Sequence, residues 1–125
     1  MGKEKIKWLD LPEEHDYPAA QSYLSLVFDE DIASEIVSEL MEAEVSYFKA
    51  KDIFRASRLP ILNSNNAHVR KNIEKIEKEK ELSPILLVRD TINRVVIIAD
   101  GYHRTNSVYF MDEDAIIPCK IVSFK

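Results

Sequence analysis

The residues best equipped for chemistry lie together at 97–104, where Ile97, Ile98 and Ala99 run into Asp100, Gly101, Tyr102, His103 and Arg104. An apolar strand that ends in a Gly turn and opens a helix leaves the first amide N–H groups of that helix without acceptors. The helix dipole adds partial positive charge at the same point, so the geometry favours an anion before any side chain is counted. Gly101 has no Cβ, which lets the backbone approach a ligand closely. Arg104 is suited to grip a phosphate through two parallel N–H bonds. His103 is suited to donate a hydrogen bond or to move a proton near neutral pH. Two cationic residues in a first helical turn oppose the dipole, and an anion between them removes the conflict. Asp100 is placed to orient one of them or to hold a Mg²⁺ that accompanies a nucleotide. The bland alternative is a turn with an Asp cap, a surface Arg and a satisfied His.

Positioning this turn requires strands on one side and helices on the other. Residues 1–17 read as a charged, irregular lead-in containing Pro12. Pro18 opens a helix over 19–28, with Tyr23, Leu24, Val27 and Phe28 at helical spacing. Ile32, Ile36, Val37, Leu40 and Met41 trace a second amphipathic helix. A short strand is expected at 45–49, and a helical turn or two at 51–57. The polar run Asn63-Ser64-Asn65-Asn66 offers a cap for a helix over 67–80, which buries Val69, Ile73 and Ile76. Ser83-Pro84 is expected to break that helix. The apolar runs at 85–88 and 95–98 then read as a buried hairpin. A helix over 102–111 and a last strand over 116–122 complete an α+β reading, with Tyr102, Tyr109 and Phe110 expected in the core.

The chain has 125 residues, 46% of them apolar, which fits one domain at 1–125: a helical part at 1–57 and a core at 58–125. No apolar run approaches the roughly 18 to 20 residues needed to span a bilayer, so no membrane span is expected. The charged start Met1-Gly2-Lys3-Glu4-Lys5 argues against a signal peptide and for a weak myristoylation motif at best. The single Cys119 fits a reducing, cytoplasmic setting and a buried, unreactive thiol. A formal net charge of −5 opposes DNA binding by this chain alone. His15, His68 and His103 lie far apart in sequence, so no metal site is expected. His68 reads as a capping or surface group, Lys49 and Lys51 as solvated, and the Lys/Glu run after Arg70 as a solvated face. Glu39, Glu42 and Glu44 offer a general base only if they fold over the turn.

Four blocks in order resemble a superfamily that contains the ParB N-terminal domain and sulfiredoxin. Asn65-Asn66-Ala67-His68-Val69-Arg70 looks like the first ParB box, and residues 83–89 resemble the strand that follows it. Ala99-Asp100-Gly101-Tyr102-His103-Arg104 is similar to the Gly-x-His-Arg turn of sulfiredoxin and the Gly-x-x-Arg box of ParB. Ile117-Pro118-Cys119-Lys120 resembles the closing strand of sulfiredoxin. The resemblance spans about residues 63–124 and implies a small mixed sheet with packed helices.

Members of that superfamily hold nucleotide phosphates at this turn: ATP in sulfiredoxin, CTP in ParB, ADP or ATP in a free serine kinase. Carried over, it implies phosphate binding by Gly101, Tyr102, His103 and Arg104, with Arg70 as a second basic contact and ATP, ADP or CTP with Mg²⁺ as ligand. Tyr102 stands where sulfiredoxin has its catalytic Cys, which removes sulfinic acid reduction from the implied activities.

Two functions from different classes follow. In one, the protein is a phosphotransferase or phosphohydrolase with Asp100 and His103 as catalytic groups. In the other, it is a non-catalytic module that senses a nucleotide or another phosphate-bearing small molecule and docks a protein through its N-terminal helices. A ParB-like nuclease is a third reading, opposed by the net charge.

Overall fold

A computed structural model describes residues 6–125, so the reading of the first five residues lies outside the described part. The element order is α1 (Asp16–Val27), α2 (Glu30–Glu42), β1 (Ser46–Lys49), α3 (Ala50–Ser57), α4 (Ala67–Glu77), β2 (Ile85–Asp90), β3 (Val95–Asp100), α5 (Tyr102–Met111) and β4 (Ile116–Phe124). The strands form one mixed sheet in the order β1-β4-β2-β3. β2 and β3 are the antiparallel hairpin that their apolar runs predict, with Val88 opposite Ile97. β4 returns parallel to β2, Leu87 beside Ile121, and β1 closes the other edge antiparallel to β4.

Alternation along the strands divides the core in two. Leu86, Val88, Ala99 and Val122 face α1 and α2. Ile85, Leu87, Ile98, Ile117 and Cys119 face α3, α4 and α5. Burial pushes the Cys119 thiol up to about 12, which keeps it protonated and inert. No helix among the described residues is long and apolar enough to cross a membrane.

Three local expectations change. α1 begins at Asp16, two residues before Pro18. The first helical amides have no acceptor within the helix, so proline costs no hydrogen bond there. α4 stops at Glu77, well before Pro84. Glu79 takes φ +59°, and the amides of Glu79 and Lys80 bond back to the carbonyls of Ile76 and Lys75. This double bond-back ends the helix without proline. The chain then turns in to bury Leu82, whose backbone pairs with Lys7 and Leu9 on either side of Trp8. Residues 7–9 of the lead-in are thereby tied down. Phe110 is exposed rather than core, while Tyr109 packs edge-on against Phe54.

Candidate functional site

β3 ends at Asp100, and Gly101 turns the chain into α5 at φ +112°, a left-handed conformation that L side chains rarely adopt. A Cβ at this position would collide with the Ile85 side chain, so the turn also needs glycine for space. The Thr105 amide donates to the Gly101 carbonyl at 2.9 Å and starts the helical ladder. The amides of Tyr102, His103 and Arg104 are therefore the open donors of the first turn.

α4 runs alongside. Asn66 caps it, its side chain accepting from the amides of His68 and Val69 at 3.0 and 3.2 Å. His68, Lys71, Asn72 and Lys75 recur at helical spacing, and together with the 100–104 turn they line a polar hollow of about 230 Å³. The His68 and His103 rings lie 4.7 Å apart between centroids. Burial, helped by the neighbouring His68, holds the His103 imidazole below its ordinary value. No ion pair engages Lys71 or Lys75 among the described residues. On the other side of the turn, Ala19, Tyr23, Leu59, Pro60 and Ile98 help line a more apolar hollow of about 520 Å³. The Tyr102 hydroxyl donates to the Pro60 carbonyl at 2.6 Å and fixes the wall between the two.

Arg104 turns towards the carboxylate that the sequence offers four residues earlier. Its guanidinium folds back to the Asp100 carboxylate at 2.9 Å and lies 3.9 Å from Asp16, the first residue of α1. Asp16 is buried and accepts the Ser83 hydroxyl proton, while the Glu13 amide donates to both at 3.2 and 3.1 Å. Arg104 Nε is buried and meets no acceptor among the described residues. Burial raises the Asp100 carboxyl above its ordinary value, the nearby Arg104 opposes the rise, and the Asp16 carboxylate adds to it.

Of the sequence-predicted residues, Asp100, Gly101, Tyr102, His103 and Arg104 all line the polar hollow. Arg70 does not. It is exposed on α4, rotated away by one residue, and Lys71 and Lys75 stand where a second basic contact was expected. His68 is an exposed surface group, as expected, but not the cap, which Asn66 makes; its ring lies against His103. Lys51 pairs with Asp114 at 2.6 Å, and Glu39, Glu42 and Glu44 stay exposed outside both hollows. The stripe of His68, Lys71, Asn72 and Lys75 was the signal that sequence reading passed over.

The donor set does not suit a protein-held Mg²⁺. Among the described residues no three His, Cys, Asp or Glu side chains gather, and the Asp100 carboxylate is already engaged by Arg104. No family model matches this chain, and no curated protein or solved structure matches it.

Proposed function

We propose that the turn between β3 and α5 binds the phosphate of a nucleotide such as ATP, ADP or CTP, or of another phosphate-bearing small molecule, in a cytoplasmic setting. One observation carries this reading. Lys71 and Lys75, free of ion pairs among the described residues, stand with His68 beside the open first turn of α5. Oriented amides and unneutralised ammonium groups at a helix start are the ordinary means of holding a phosphate. The apolar hollow meets the polar one at 100–103, which gives a flat ring system somewhere to lie while its phosphates reach α4. The resemblance of residues 99–104 to the phosphate turns of ParB and sulfiredoxin points the same way.

Arg104 acts here as a positioning residue. Held by Asp100 and Asp16, it fixes the turn rather than gripping the ligand. With Asp100 occupied in this way, binding without turnover is the leading form of the proposal. Phosphoryl transfer is the second form: burial moves the Asp100 carboxyl upward, in the direction a general base needs, while burial and His68 move the His103 imidazole downward, away from neutral pH, which leaves it a neutral hydrogen-bonding group.

The test is a thermal-shift panel of ATP, ADP, CTP and pyrophosphate, with and without Mg²⁺, on the wild type and on Lys71→Ala/Lys75→Ala. A ligand at about a hundred times its Kd adds roughly 2.7 kcal/mol, on the order of 5 to 15 °C in Tm. Such a rise in the wild type, reduced in the double variant, supports the site, and release of phosphate or a transferred phosphoryl group selects the second form. No rise with any of these compounds overturns the reading.

A further inference from the structure

Charge is divided sharply along the chain. Residues 8–48, which include α1 and α2, hold eleven acidic residues and no Lys or Arg, whereas residues 49–125 hold fourteen Lys and Arg against ten acidic residues. The division has a structural counterpart at the end of the sheet far from the Gly101 turn. On the α3 face, Phe48, Ile53, Leu87, Val96 and Ile121 floor an apolar groove of about 210 Å³. Arg89 lines it beside Asp52, and Arg89 and Arg94 line an adjoining hollow of about 310 Å³ beside the buried Asp90. Arg58 joins this rim through a hydrogen bond from its guanidinium to the Arg94 carbonyl at 3.3 Å. Arg89 donates to the Ser123 hydroxyl at 2.8 Å, and no carboxylate neutralises Arg58, Arg89 or Arg94 among the described residues.

On the opposite face, at the same end, the α1–α2 connection has the complementary character. Leu26 is 86% exposed and Val27 45%, and Asp29, Glu30 and Asp31 follow directly. Phe28 anchors this tip by packing on Phe124 at 4.7 Å between ring centroids. Phe124 pairs in turn with Asp90, the neighbour of Arg89, which places tip and groove at one end of the sheet.

We infer that this end is a self-association surface, on which the Leu26–Val27 tip and its acidic residues seat in the arginine-rimmed groove of a second copy. Because tip and groove share one end but lie on opposite faces, a two-fold axis there lets each copy offer its tip to the other's groove. The contact is then mutual and closes as a dimer. Apolar centres bordered by arginine suit such a contact, and opposite charges steer it together. This surface is separate from the phosphate hollow, and neither proposal depends on the other.

Sedimentation velocity over a concentration series at low and high salt tests it. The expected result is a dimer at low salt that dissociates as salt screens the contact. Arg89→Glu/Arg94→Glu and Glu30→Lys/Asp31→Lys are each expected to be monomeric, with circular dichroism and Tm showing that both remain folded. Mixing the two variants restores complementarity at both contacts, so a heterodimer of distinct mass in native mass spectrometry is the positive signature. A wild type that stays monomeric at low salt overturns the proposal and leaves the groove to a different, acidic partner. A dimer that persists in either folded variant, or folded variants that do not pair when mixed, overturns it as well.

Discussion

Helices α2 and α5 dock on opposite faces of one sheet by different means. α2 buries Ala33, Ile36, Val37 and Leu40, an unbroken apolar stripe. α5 buries Thr105, Asn106 and Ser107 beside Val108. The Leu62 amide donates to the Asn106 side-chain oxygen, and the Ser107 hydroxyl donates to the Val69 carbonyl at 2.8 Å. Apolar contact is non-directional and tolerates small rotations, whereas hydrogen bonds fix an angle. The helix that carries the candidate site is therefore the one whose orientation is set by directional bonds. Its first-turn amides are aimed from α4 and the 58–66 segment as well as from the Gly101 turn.

Breaking the polar side at its centre gives the largest effect. Arg104→Ala removes the cation between Asp100 and Asp16, and the expected loss at neutral pH is about 3 to 5 kcal/mol in urea unfolding. The loss shrinks when the measurement is repeated at acidic pH, since the Asp100 carboxyl, already raised by burial, takes up a proton sooner than an ordinary carboxylate and relieves the repulsion. Equal losses at both pH values would break the link between these carboxyls.

The apolar and polar docks separate in the next comparison. Leu40→Ala opens a cavity under α2, costs about 3 kcal/mol and leaves phosphate affinity unchanged. Ser107→Ala costs only about 1 kcal/mol but weakens pyrophosphate binding, because α5 loses the bond that fixes its rotation. Calorimetric titration of both variants distinguishes them, and the reverse pattern defeats the contrast.

The smallest effect is in pH dependence. The His103 imidazole lies below its ordinary value of 6.5, so its contribution to stability is present above that pH and is lost as pH falls through the lowered value. A bound anion favours the imidazolium, so pyrophosphate affinity is expected to rise as pH falls across this range, by about tenfold per pH unit at most. His103→Gln flattens that profile in the same titration; a wild-type profile already flat places His103 outside the binding site.

Much of this was legible beforehand for physical reasons. The 85–88 and 95–98 runs are apolar enough to be strands only in a buried hairpin, and Gly101 after Asp100 marks a turn that opens a helix. The stripe of α2 and the Asn66 cap of α4 are local patterns, complete within a few residues of sequence. The end of α4 was not legible, because Glu79 adopts a conformation that usually marks glycine, and burial of Leu82 pulls the chain around it.

The sequence by itself determined the turn at 97–104, with its open helix start and its local density of His and Arg, since these follow from neighbouring residues and backbone chemistry. Tertiary structure decided what surrounds it. Asp16 comes from 88 positions earlier to meet Arg104, and His68, Lys71 and Lys75 arrive from a separate helix. Arg104 is held first by Asp100, a partner four residues away that the sequence already offers, and Asp16 adds a second carboxylate whose approach from a distant element has no local signature in the chain.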